Sequence, residues 1–295
     1  MRVSADHGKR RAAACVTFVL MVGLCFPGQA APKRGLHYAP NGNFDASGIF
    51  LPAELGFNLA DVRSVGQLDA LPNQVKGLAW IGQCNGADTA FRDTVRPYIG
   101  NPRLFGFFLV DDPDPRRSDV RGVHPHACKA EDLKAESDWI HANFSSAKTF
   151  IVLMNLSSSR TPSFGGTYAP RNSHVDFFGV DPYPCRTELD GCDFEMIDRY
   201  VTAAESSGVP GTTIVPVFQA FGGGNWKDDS GGRYVLPSAQ EEQEILAHWR
   251  RLIPGPAFDV TYSWGSQNGD IALEQARDLQ AIFYYYNKRE DEAPQ

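Results

Sequence analysis

From residue 34 onward, short apolar runs alternate with amphipathic or polar stretches. That alternation predicts repeating strand–helix units. Strands are expected at Gly35–Ala39, Phe57–Arg63, Gly77–Gly82, Leu104–Asp111, Thr149–Asn155, Val175–Asp181, Thr213–Gln219 and Phe258–Trp264. Helices are expected at Leu68–Val75, Thr89–Tyr98, Ala130–Phe144, Phe194–Ser207, Ala239–Leu252 and Leu273–Tyr286. Runs such as Phe107-Phe108-Leu109-Val110 are apolar on both faces, as parallel strands covered on both sides must be. Pro237-Ser238 ahead of Glu241-Glu242 predicts a capped helix start with acids near the positive end of the dipole. Eight predicted strands predict an α/β fold closed into a (β/α)8 TIM barrel, one domain over residues 31–290 with a polar tail at 291–295. An open doubly wound sheet is the alternative; it would usually carry a Gly-rich phosphate loop after its first strand, and the chain has none there.

Residues 1–30 have the pattern of a signal peptide. Lys9, Arg10 and Arg11 precede an apolar run, Ala12–Phe26, too short to span a bilayer, and Gly28-Gln29-Ala30 offers small residues for cleavage. A retained anchor is the alternative. Export to the extracellular space, the periplasm or the cell envelope is expected, and no later stretch is apolar for long enough to predict a membrane span in the mature chain. The leader contains four basic side chains (Arg2, Lys9, Arg10, Arg11) and one acid (Asp6), so its removal takes the formal charge from -7 to -10. Such a chain repels nucleic acid and anionic lipid; a neutral or cationic partner suits it better. Four cysteines remain: Cys84, Cys128, Cys185 and Cys192. In an oxidising compartment they predict two disulfides, with Cys84–Cys128 and Cys185–Cys192 favoured among three pairings. Zinc is the competing reading, but there is no Cys-x-x-Cys spacing.

Catalytic groups of such barrels occupy the C-terminal strand ends and the loops that follow. Those ends supply Trp80, Asp111, Asp112, Asn155, Asp181, Gln219 and Trp264, with His37, Gln83 and Tyr183 close by. Acids and amides bond hydroxyls and aromatic rings cover the apolar faces of pyranoses, so the set suits a carbohydrate substrate. Strict alternation places Gly106, Phe108, Val110 and Asp112 on one face of the fourth strand, and a Gly there suits a crowded barrel interior, favouring Asp112 over Asp111 for the cleft. The same reasoning turns Asp181 inward with Val175, Phe177 and Gly179. Asp112-Pro113 and Asp181-Pro182 are equally turn-starting dipeptides, in which the acid bonds its own backbone. Trp264 is read as the floor of a sugar subsite or a core indole, and Trp226 as an aromatic on a Gly-rich loop, Gly222–Gly232, over the site. Asn155 and Gln219 can bind but cannot titrate. His124, His126 and Asp114 offer a metal-dependent hydrolase as a minor alternative, yet Gly-x-Ser-x-Gly and zinc-protease helix motifs are absent. Neither a metal nor another cofactor is expected, and a monomer is.

The chain resembles secreted bacterial barrels described as glycoside-hydrolase-like. The resemblance is carried by Leu104-Phe105-Gly106-Phe107-Phe108-Leu109-Val110-Asp111-Asp112-Pro113, Val175-Asp176-Phe177-Phe178-Gly179-Val180-Asp181-Pro182-Tyr183-Pro184, Val217-Phe218-Gln219-Ala220-Phe221-Gly222 and Tyr262-Ser263-Trp264-Gly265. Similar barrels often have Asp-Glu-Pro after the fourth strand, where this chain has Asp112 in the Glu position. The largest clan of retaining glycosidases would put its acid/base Glu there and its nucleophile Glu after strand seven, where this chain has Gln219. The resemblance therefore implies either that Asp181 is the second carboxyl, as in the α-galactosidase-like clan with its strand-four and strand-six aspartates, or that the barrel binds sugar without cleaving it. The chitinase-like run of acids spaced by two and ending in Glu is absent. Two expectations follow: a glycosidase using Asp112 and Asp181, with Asp112 leaning toward the acid role, or a non-catalytic carbohydrate-binding or cell-envelope barrel.

Overall fold

A computed structural model describes Met1 and residues 35–116, 127–228 and 231–289. The predicted signal peptide, the His124-Pro125-His126 segment and the tail at 291–295 lie outside the described residues. Strands run as β1 (His37–Tyr38), β2 (Leu59–Val62), β3 (Lys76–Trp80), β4 (Leu104–Val110), β5 (Lys148–Val152), β6 (Phe177–Val180), β7 (Ile214–Gln219), β8 (Phe221–Gly222), β9 (Asp259–Tyr262) and β10 (Ile271–Ala272). Eight of them close a barrel in the order β1-β2-β3-β4-β5-β6-β7-β9. Its neighbouring pairs are parallel, and β9 returns to β1 through His37–Asp259 and Tyr38–Val260. The short β8 and β10 form an antiparallel ribbon outside it. This is a (β/α)8 TIM barrel.

Helices α1 (Val65–Ala70), α2 (Thr89–Val95), α3 (Ala130–Asn143), α4 (Pro170–Ser173), α5 (Glu195–Ser206), α6 (Ala239–Leu252) and α7 (Arg277–Arg289) fill the connections. The start of α6 is a capping box: the Ser238 hydroxyl accepts from the Glu241 N–H while the Glu241 carboxylate accepts from the Ser238 N–H. The first helix lies earlier than the expected Leu68–Val75, because Ser64 caps it by accepting from the Gln67 N–H at 3.2 Å. Pro72 follows its C-terminal cap residue, Leu71, which stands in extended backbone.

Side chains divide into two apolar layers. Leu59, Leu78, Phe108, Phe150, Val152, Val215, Val217, Phe258 and Val260 belong to the inner cluster, with Phe105 and Phe177 packed against it. Phe258 stands at its centre, with ring centroids of Phe150, Phe105 and Phe177 at 5.0, 5.5 and 5.8 Å. Ala60, Ala79, Phe107, Ile151, Phe178, Phe218 and the buried faces of the helices make the outer cluster. Rings such as Phe107 and Phe218 are fully buried there, so truncating one to Ala would cost about 3–5 kcal/mol.

Strand β4 departs from the simple alternation expected of it. Phe105 and Phe108 both join the inner cluster, and Val110 packs in the outer one. The cause is two register irregularities, one with β3 opposite Leu104–Gly106 and one with β5 between Phe108 and Val110. Gly106 is needed for strand proximity rather than for interior crowding: a Cβ there would stand 2.2 Å from the Lys148 carbonyl oxygen. In β6 the alternation holds, since a Cβ on Gly179 would meet the inward Phe150 and Val152 side chains, both at 2.9 Å.

Candidate active site

A cleft of about 530 Å³ opens at the C-terminal ends of the barrel strands. Phe108, Phe150, Val152, Val217 and Val260 from the inner cluster also line it, so the plugged barrel forms its floor. Asp111 and Asp112 enter from the end of β4, and Asp181 from the end of β6. Both acids of the β4 pair reach the cleft, because the strand's irregular register is followed by a left-handed backbone at Asp112 (φ 46°). A positive φ is uncommon outside glycine, and Asp is among the residues that tolerate it. Asp111 and Asp112 are open to water on the cleft side while protein surrounds them elsewhere.

These carboxyl groups feel one another. Burial, then the charges of Asp112 and Asp111, hold Asp181 well above the usual carboxylate range. Burial and the Asp112 charge push Asp111 up to about 8. Like charges brought this close cannot all ionise together, so the group holds protons to a higher pH than an isolated aspartate would.

The walls are aromatic. Trp80 meets Phe108 edge-on with centroids 4.7 Å apart. Tyr183 contacts the rings of Phe221, Tyr234 and Tyr262 at 4.9, 5.5 and 5.9 Å. Trp226 lies on the loop after β8, its ring 4.9 Å from that of Phe221. The Asp270 carboxylate fastens this loop, accepting from the Gly224 N–H at 2.6 Å and from the Trp226 N–H. Asn155 lines the cleft and donates to the Tyr200 hydroxyl at 3.0 Å. Arg186 is anchored by an ion pair with Asp228 and donates to the Tyr183 carbonyl.

Four expected site residues lie away from the cleft lining. His37 points from β1 into the outer layer, where its Nδ1 meets the Asp259 carboxylate at 2.9 Å and its ring meets Tyr286. Gln83 sits in the loop after β3, its N–H bonded to the Leu109 carbonyl. Gln219 is fully buried: its Oε1 accepts from the Cys185 N–H, and its Nε2 lies within bonding distance of the carbonyls of Cys185, Phe221 and Val235. That amide clamps the loop after β6 to the β8 region, and with its N–H donors committed and its side chain buried it does not face the cleft. Trp264 packs in the outer cluster at 7% exposure rather than flooring a subsite.

Sequence reasoning overlooked Tyr38, Asn41, Asp61, Arg63, Tyr200, Tyr234 and Tyr262, all of which line the cleft. Asp61 and Arg63 were legible, since they alternate with the inward Leu59 along a strand already expected to reach Arg63. Asp61 is buried, which raises its pKa; the Arg63 charge and the Asn41 backbone N–H oppose that rise. Tyr200 and Tyr234 come from α5 and a loop segment, where nothing local to the sequence points at the barrel mouth.

Two disulfides brace the rim, Cys84–Cys128 across 44 residues and Cys185–Cys192 across 7, the pairings favoured from the sequence. Among the described residues no group of three or more His, Cys, Asp or Glu could hold a metal ion. Asp114, one arm of the metal alternative, is bonded to Arg116, and its two histidine partners lie outside the described residues. No helix among the described residues is long and apolar enough to cross a membrane. A second depression, of about 690 Å³ beside α5, holds none of the strand-end acids.

The chain is a closed parallel (β/α)8 TIM barrel with an acidic, aromatic mouth. No protein-family model matches the chain, and no curated protein matches it in sequence. Among solved structures it resembles a chitinase-like agglutinin from Robinia pseudoacacia (14% identity, TM-score 0.52, covering 84% of this chain and 98% of that one). It also resembles a chitinase from Rhizomucor miehei, at 11% identity and TM-score 0.52 over 88% of this chain and 100% of that one. A fungal endo-β-N-acetylglucosaminidase of glycosyl hydrolase family 18 aligns at 13% identity and TM-score 0.50 over 86% of this chain and 98% of the other. At such identities the likeness is one of fold.

Proposed function

We propose that the chain is a secreted glycoside hydrolase that cleaves an oligo- or polysaccharide in this cleft, with Asp181 and Asp112 as its carboxyl pair. The observation that supports the reading is the grouping of Asp111, Asp112 and Asp181 over an aromatic floor at the C-terminal barrel mouth. Glycosidic cleavage needs one protonated carboxyl to assist the leaving oxygen and one carboxylate to attack or to activate water. Asp181 suits the acid role, because burial and its two charged neighbours favour its neutral form. Asp112 is then nucleophile or base, the reverse of the lean drawn from the sequence. Trp80, Tyr183 and Trp226 would cover sugar faces, and Asn155 would bond hydroxyls. The disulfides suit an oxidising compartment and so fit export.

The test is hydrolysis of a panel of bacterial, fungal and plant glycans by wild type, Asp112→Asn and Asp181→Asn. Cleavage by wild type that falls about 10²–10⁴-fold in each variant is expected. Binding of glycans by wild type with no cleavage of any would replace the enzyme with the carbohydrate-binding barrel.

A further inference from the structure

The depression of about 690 Å³ beside α5 has a charge opposite to that of the cleft. Three arginines converge on it: Arg160 from the loop after β5, Arg171 from α4 and Arg199 from α5. The acids nearby are already matched. Asp198, on the same lining, meets His248 Nδ1 at 3.0 Å and Arg251 Nη2 at 2.8 Å. Asp193 pairs with Arg199 at 2.5 Å. Arg160 and Arg171 pair with no carboxylate among the described residues. The Arg171 guanidinium lies against the end of α5, where a Cβ on Gly208 would stand 3.1 Å from its Nη1. A lone exposed arginine is ordinarily just solvated. Three on one concave surface, in a chain of formal charge -7, form a local field of the opposite sign.

The depression also adjoins the cleft. Ser157, Ser158 and Ser159 line the cleft, and Arg160, the next residue of that loop, lines the depression. Arg199 donates to the Ser159 carbonyl at 3.3 Å. Phe164 of the depression meets Tyr200 of the cleft wall with ring centroids 5.9 Å apart. A polymer lying in the cleft and leaving it across the Ser157–Ser159 rim reaches Arg160 first.

We propose that this depression is a subsite for an oxyanion substituent, a carboxylate or a sulfate ester, borne by a glycan chain that continues out of the cleft. The inference rests on a glycan occupying the cleft, as proposed above. The planar guanidinium groups of Arg160 and Arg171 match such an oxyanion, and its charge supplies the counter-ion they lack. The acidic balance of the whole chain does not oppose this at close range. Exposed charges more than about 8 Å apart are largely screened at physiological salt, so at contact the arginines dominate.

The test is calorimetry on the full chain with an oligogalacturonate, a sulfated galacto-oligosaccharide, a neutral galacto-oligosaccharide of the same length, and inorganic sulfate. At least one acidic oligosaccharide binds about five- to thirtyfold tighter than the neutral one, as two exposed ion pairs allow. Which of the two wins tells carboxylate from sulfate ester. The preference shrinks with added salt and disappears in the double variant Arg160→Gln with Arg171→Gln. That variant keeps the wild-type rate on a neutral glycan, because neither arginine lines the cleft. The salt comparison needs wild type alone. Neutral and acidic oligosaccharides bound equally, an acid preference that survives the double variant, or binding of inorganic sulfate only would each overturn the subsite. Neutral glycans cleaved without any acid preference sink the subsite and spare the hydrolase reading. An arginine-dependent preference with no glycan cleaved does the reverse.

Discussion

Glu242 shows most plainly how a single side chain can set the pH response of the fold. It lies on the buried face of α6 with 0% exposure, and neither carboxylate oxygen has a bonded partner. Burial holds its pKa well above the ordinary glutamate range, so the folded chain keeps it protonated. The unfolded chain ionises at about pH 4.3, and above that pH folding must take up a proton. Its contribution to stability is therefore fully present below about pH 4.3 and declines as pH rises toward the folded-state pKa. Glu242→Met, of similar length and without charge, is expected to raise neutral-pH stability by about 1–3 kcal/mol and to flatten the pH dependence. Urea unfolding at acid and neutral pH measures both. Gln219 is the complementary case. Its amide Nε2 faces three carbonyl oxygens, so Gln219→Glu would turn a carboxylate toward them. That variant should lose stability, visible as a lower Tm, and gain no turnover. The amide at this strand end thus reads as architecture, which residue type alone could not reveal.

At the scale of elements, the loops after the strands decide what the barrel presents. Asp270, in the segment leading to β10, holds the Gly-rich loop by two backbone N–H groups and thereby positions Trp226 at the cleft. Asp270→Ala removes both bonds; KM on a cleaved glycan should rise about five- to a hundredfold, on the order of the 1–3 kcal/mol that lost charged hydrogen bonds represent, with kcat changed less. The elements themselves were legible wherever periodicity is strong: α6 occupies the span its pattern predicted, and its Ser238 cap forms. The site was less so. Alternation along β6 turned Asp181 inward as expected, but in β4 two register irregularities and the left-handed Asp112 bring both acids to the mouth. Pairing register is a property of two strands, so one strand's pattern does not reveal it. His37 and Trp264 were misplaced for a related reason, since a residue near a strand end faces the cleft or the helix layer according to parity.

The whole molecule combines a phenylalanine-plugged barrel, a disulfide-braced rim and an acidic mouth. Closure of eight parallel strands and both cysteine pairings were accessible from order and spacing; the tyrosines of the cleft, gathered from β1, α5, a loop and β9, were not, because only the closed barrel brings them together. The Cys84–Cys128 bond closes a 44-residue separation, and the chain-entropy model gives it about 4 kcal/mol. Cys84→Ser with Cys128→Ser should lower stability by up to that amount in a denaturant titration. The central claim, that Asp181 donates a proton to a leaving oxygen while Asp112 attacks or activates water, is tested most directly by leaving-group dependence. Turnover of a glycan and of a dinitrophenyl glycoside of the same sugar is measured in wild type, Asp181→Asn and Asp112→Asn. A dinitrophenolate departs without acid assistance, so Asp181→Asn should lose the glycan yet keep at least the first turnover on the aryl glycoside, while Asp112→Asn loses both. Equal loss on both substrates in Asp181→Asn, or an aryl activity that survives in Asp112→Asn, would contradict the assignment.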